Sequence, residues 1–91
     1  MFDHTRIKRI DGAFLHRQIE GETFIAALDG SASFMLNPVG SLIWELADGQ
    51  HSLAQIAAVV CDRCEVTPEV ALRDVRELAE ELVERGLVVE T

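Results

Sequence analysis

Three histidines, His4, His16 and His51, and one Cys-x-x-Cys, Cys61-Asp62-Arg63-Cys64, are the residues of this 91-residue chain whose types and spacing invite a chemical reading. General acid–base or nucleophilic catalysis needs a second reactive group within hydrogen-bond reach. None of the three histidines shares a local pattern with a nucleophile or a further ligand, so each reads as a solvated surface residue, His51 in a loop beside a helix cap. The cysteine pair can be half a zinc site or a redox pair. Zinc needs two more ligands, and the sequence has neither a second C-x-x-C nor a spaced histidine pair. A redox pair gains its acidic thiol at a helix N-terminus. Here the pair falls at the end of a helical pattern, where the helix dipole disfavours a thiolate. Cys61 and Cys64 therefore read as small apolar residues closing a helix face. The glycine-rich phosphate loops and the nucleophile elbow are absent. The expectation is a non-enzymatic protein with no catalytic residue, metal or cofactor.

Charge narrows the partners. The chain is 48% apolar and 26% charged, an ordinary globular composition, and its formal net charge is −8. Through Arg17 it carries Arg6, Lys8, Arg9 and Arg17 against Asp3 and Asp11, a net +2, leaving −10 on the remainder. Binding to nucleic acid depends on Lys and Arg displacing counterions from phosphate, so the larger part would be repelled. The balance favours a protein or peptide partner with basic residues. No apolar run approaches the ~20 residues of a membrane span, so no membrane partner is expected. The basic start lacks a following apolar stretch, which points to a cytoplasmic address. The length fits a single domain over residues 1–91.

The elements that would position a binding site follow from periodicity and caps. Ala13–Ile19, Thr23–Leu28 and Ser31–Leu36 are short apolar stretches separated by Glu20-Gly21-Glu22 and Asp29-Gly30, which reads as a three-stranded antiparallel meander. A further short strand around Arg6–Ile10 fits the pattern. In the third strand Ala32, Phe34 and Leu36 share one face, Ser33 and Met35 the other. Asn37-Pro38 opens a helix to about Ala47, with Val39, Leu42, Ile43 and Leu46 on its apolar face and Trp44 at the edge as a semi-buried anchor. Asp48-Gly49 stops it. Ser52 and Gln55 make a capping box for a second helix to about Cys61 or Asp62. Thr67-Pro68 starts the third, which ends at Gly86 and carries the acid-first pairs Glu69–Arg73 and Glu81–Arg85. It has two apolar lines: Ala71, Val75, Leu78 and Leu82, then Leu72, Ala79 and Val83. One line can pack on the other helices; the second must meet the sheet or a partner. Leu87-Val88-Val89 reads as an extended tail.

The order βββααα is α+β. An acyl carrier is excluded because no Asp-Ser-Leu attachment site exists; Ser52-Leu53 follows His51. A helix-turn-helix is possible in outline, but its recognition helix would hold Asp74, Glu77, Glu80 and Glu81, the wrong sign for phosphate. A meander leaves its third strand at an edge, where unpaired N–H and C=O groups can take up an extended peptide.

The string LNPVGSLIWELADGQHSLAQIA and the later ELVERGLV resemble the PqqD (pyrroloquinoline quinone biosynthesis protein D) family. Leu36, Asn37, Gly40, Ile43, Trp44, Leu46, Asp48, Gly49, Ser52, Gln55 and Ile56 match its first motif; Leu78, Leu82, Gly86, Leu87 and Val88 match its second. The resemblance implies a winged-helix-like fold of three strands and three helices. It also implies recognition of the leader of a ribosomally made precursor peptide (PqqA-like, or that of another pathway such as lasso peptides) and its presentation to a modifying enzyme, the radical SAM protein PqqE in the PQQ pathway. In the family the leader adds beside the third strand, against the third helix. On this sequence the strand side would be Ser33, Phe34, Met35 and Leu36; the helix side would be Leu72, Val75, Arg76, Ala79 and Val83. Arg76 would meet an acidic leader residue and the nearby glutamates a basic one, with Ala79 partly exposed and Glu77 on the outer face. The alternative from another class is a winged-helix regulator of DNA or of a protein.

Overall fold

The computed structural model describes residues 1–31 and 33–91. The expected alignment of Ala32 with Phe34 and Leu36 lies outside the described residues. Among the described residues the elements run in the order β1 (Arg6–Arg9), β2 (Phe14–Ile19), β3 (Glu22–Ala27), β4 (Ser33–Leu36), α1 (Pro38–Leu46), β5 (Asp48–Ser52), α2 (Leu53–Cys64), α3 (Pro68–Glu84) and β6 (Val88–Glu90). The fold is α+β, with the expected antiparallel meander β2-β3-β4 followed by three helices. A second antiparallel sheet, β5-β1-β6, is added to that plan.

The helix starts are local, and they stand as the sequence indicates. Asn37 Oδ1 accepts from the Gly40 N–H at 2.8 Å. Ser52 and Gln55 complete a reciprocal capping box, at 3.1 and 2.8 Å. Thr67 Oγ1 accepts from the Val70 N–H at 3.3 Å. Each satisfies a backbone donor that a helix start leaves without an intrahelical partner. At the far end of α2 the helix continues to Cys64 and closes on Glu65 in the left-handed conformation, φ 53°. Both cysteines thus sit in its last turn, half-buried against the core, with Cys61 Sγ 3.1 Å from the Val66 carbonyl.

Three features differ from the sequence reading, each for a tertiary reason. Asp48–Ser52 is a strand rather than a stop and a loop, because β1 offers it a ladder: Arg6 faces Ser52 and Lys8 faces Asp48 across a register shift. Gly49, at φ 80°, supplies the left-handed conformation this strand needs, and a Cβ there would lie 3.4 Å from the Lys8 side chain. The terminal Val88–Glu90 is likewise no free tail but pairs with Ile7, Lys8 and Arg9. The third difference is the rotation of α1. Its deeply buried face is Gly40, Ile43, Trp44 and Ala47, one position on from the expected Val39, Leu42, Ile43 and Leu46.

Small residues cause that rotation. Gly40 sits so close to β4 that a Cβ there would lie 3.2 Å from Leu36 Cβ. Ser41 is buried beside it and accepts from Thr23 Oγ1 of β3 at 2.8 Å. Two hydroxyls are thereby satisfied in the core, where an unpaired one would cost about 1–3 kcal/mol. Trp44 is consequently buried, only 1% exposed, and not a semi-buried edge residue. Its indole packs edge-on to Phe14 at 4.8 Å and donates from Nε1 to His16 Nδ1 at 2.8 Å. The Arg9 guanidinium bonds the carbonyls of Trp44 and Glu45, satisfying acceptors at the end of α1.

Candidate functional site

Strand β4 pairs with β3 on one side and with no described strand on the other. An edge of this kind presents backbone donors and acceptors to whatever lies alongside. Alongside it is a cleft of about 410 Å³, bounded by β4, α1 and α3. Met35 and Leu36 form the strand side; Val39, Gly40 and Ile43 of α1 form the floor; Asp74, Glu77, Leu78 and Glu81 of α3 form the far wall. At one end Arg85 lies over the Phe34 ring at 5.1 Å and is held by Glu81 at 3.0 Å. The described cleft therefore joins an open strand edge, an apolar floor and an acidic wall. An exposed strand edge beside a cleft is the arrangement that takes up an extended peptide by strand addition.

The rotation of α3 decides which residues form the wall, and it corrects the sequence reading. The buried face is Ala71, Val75, Ala79 and Leu82. Val75 and Ala79, expected to line the groove, are 0% exposed and belong to the core. Leu72 lies on the flank away from β4, where it lines a separate cleft with Ala54, Ala57, Ala58, Cys61, Asp62 and Pro68 of the α2–α3 side. Val83 falls on the same flank by the 3.6-residue period. Arg76 also turns that way and pairs with Asp3 at 2.9 Å. Of the helix residues named from the sequence, none is in the groove wall. The strand residues fare differently: Met35 and Leu36 line the cleft, Phe34 carries Arg85 at its end, and Ser33 opens β4.

Leu78, Asp74, Glu77 and Glu81 on α3, with Val39 and Ile43 on α1, line the cleft without having been assigned to it from the sequence. Glu77, placed on the outer face, lines the cleft. A signal existed in the spacing 74, 78, 81, which marks one flank of α3 as clearly as 72, 76, 83 marks the other. Nothing in the spacing says which flank meets β4.

The histidines are less isolated than their sequence context suggests. His16 accepts the Trp44 N–H, and His51 Nδ1 lies 2.9 Å from Asp48 Oδ1. Partial burial disfavours the Asp48 carboxylate, but the Gln50 N–H and His51 outweigh it and hold its pKa below the ordinary value. The charge pair Glu69–Arg73 expected on α3 is replaced by Arg73–Asp74 at 3.6 Å. Among the described residues no three His, Cys, Asp or Glu side chains converge as a metal site. No described helix is long and apolar enough to cross a membrane.

Residues 22–88 match the family described as coenzyme PQQ synthesis protein D (PqqD). The chain belongs to the PqqD family. The matched span begins with β3 and ends in β6, so it contains β4, all three helices and every residue of the cleft. A solved structure, TbiB1 in complex with the TbiA(beta) leader peptide, is similar to this PqqD-family chain at 27% identity with a TM-score of 0.77. The similarity covers 89% of this chain and 93% of that one. No curated protein matches the chain.

Proposed function

We propose that this PqqD-family chain binds the leader segment of a ribosomally made precursor peptide and presents it to a modifying enzyme, without catalysing a reaction itself. The open edge of β4 facing the α3 cleft carries this reading. The leader adds as a strand along Ser33–Leu36, so main-chain bonds supply affinity without regard to sequence. Alternate side chains then point into the cleft and meet Met35, Leu36, Val39, Ile43 and Leu78. Membership in the family, and similarity to a protein solved with a leader peptide, both support the choice of ligand. Within that reading we further propose a PqqA-like precursor and a radical SAM enzyme as the partners, a choice that rests on the sequence resemblance alone.

The test is titration with synthetic leader peptides from precursor genes near this one, followed by backbone amide shifts. Binding should move the amides of Ser33–Leu36 and of Asp74–Glu81. A leader that binds tightly while leaving both segments unmoved refutes strand addition.

A further inference from the structure

The cleft carries a charge that the apolar contacts do not explain. Of its lining residues Asp74, Glu77 and Glu81 are acidic and none is basic. The acidic surface continues along α3, where Glu77, Glu80, Glu81, Glu84 and Arg85 border an open depression of about 610 Å³. Neutralisation within this wall is uneven. Glu81 is paired with Arg85 at 3.0 Å, and Arg85 in turn covers Phe34. Asp74 has only Arg73 at 3.6 Å, a residue that is itself 63% exposed in its side chain. Glu77 makes no ion pair among the described residues. The wall is therefore compensated at the Phe34 end and left negative toward Leu36 and Asn37.

Resting on the reading of the cleft as a leader groove, we infer that its ligand is an extended peptide with one large apolar side chain and, close by, a Lys or Arg. The apolar side chain fills the floor formed by Val39, Ile43 and Leu78, and the cation faces Asp74 and Glu77. The two requirements arise from different elements. The apolar anchor answers to the burial of α1 and α3 side chains, and the cation answers to carboxylates that the fold leaves uncompensated. The cation lies toward Leu36 and Asn37, because Arg85 occupies the other end and would repel it. Asp74 and Glu77 thus select among leaders while β4 merely holds them. A leader with acidic residues at this place brings like charges together, the arrangement by which interfaces reject wrong partners.

The experiment is selection from a display library of random linear peptides on the full chain and on Asp74→Lys/Glu77→Lys. Peptides selected by the native protein should be enriched in Lys or Arg within two positions of a large apolar residue. Those selected by the variant should carry Asp or Glu there instead. For one native-selected peptide, Glu77→Gln should weaken binding by about two- to fivefold at low salt, the range of a single exposed ion pair, and by less at high salt. Both substitutions lie on half-buried or exposed helix positions, and the helical spectrum of each variant should match the native one. Two failures are separable. Selected peptides that move the amides of Met35 and Leu36 but show no basic enrichment, or that bind the variant equally well, overturn the charge rule alone. Peptides that leave those amides unmoved overturn the groove itself, and the charge rule with it.

Discussion

Leu78 and Ala79 are neighbours in sequence, yet the structure gives them opposite roles, and a glutamate at each position separates those roles. Ala79 is 0% exposed, on the buried face of α3 with Val75 and Leu82. A carboxylate there has no partner, and burying an unpaired ion costs several kcal/mol. A chain of this length has a total stability of about 5–14 kcal/mol at 0.05–0.15 kcal/mol per residue. Ala79→Glu should therefore remove much or all of it. Leu78 is half-buried at the rim of the cleft. Half of the ~1.5–3 kcal/mol that full burial of a leucine provides is about 1 kcal/mol. Repulsion from Asp74, four residues earlier, adds a few tenths. Leu78→Glu should lower the melting temperature by about 4–8 °C per kcal/mol lost and leave a folded protein. It should also remove about 1–3 kcal/mol of leader affinity, since a charge then enters the apolar floor. The assays are urea unfolding followed by far-ultraviolet circular dichroism, and peptide titration of whichever variants remain folded. If Ala79→Glu keeps the native unfolding midpoint, or Leu78→Glu binds leader normally, α3 presents a different face and the reasoning fails.

Trp44→Ala should cost about 3–5 kcal/mol, the toll of emptying a buried aromatic site, and an unchanged urea midpoint would contradict its burial. Ser41→Ala strands the buried Thr23 hydroxyl and should destabilise by about 1–3 kcal/mol, more than Thr23→Val, which leaves Ser41 Oγ its bond to the Leu36 carbonyl at 3.3 Å; the double variant should cost less than the sum, and strict additivity in the unfolding cycle would deny the bond. The lowered pKa of Asp48 means that its contribution to stability is present above the ordinary carboxylate pKa and is lost as pH falls through the folded value. Asp48→Asn should therefore be less stable than native near neutral pH and show a shallower loss on acidification, read from melting temperatures across that range; parallel curves would refute the coupling.

What the sequence determined by itself is what neighbours in sequence can enforce. Asn37-Pro38, Ser52 with Gln55, and Thr67-Pro68 fix three helix starts through bonds spanning only a few residues, and all three stand in the structure. The alternation in β2, β3 and β4 and the Asp29-Gly30 signal placed the meander, and with it the strand that borders the cleft. The motif from Leu36 to Ile56 pointed to the PqqD family. Tertiary structure decided the rest. β5 and β6 exist because β1 lies between them, a pairing of the chain's beginning with its middle and its end that no local window contains. The rotations of α1 and α3 were equally hidden. An apolar stripe as broad as those of α1 and α3 allows several orientations; on α1 the close approach of Gly40 to β4 and the Thr23–Ser41 bond settled it, and on α3 the face holding Ala71 and Ala79 is the one buried. That choice sent Leu72, Arg76 and Val83 to one flank of α3 and brought Asp74, Leu78 and Glu81 to the other, beside β4. Helical spacing tells which residues share a flank, but only the packed neighbour tells which flank faces the site.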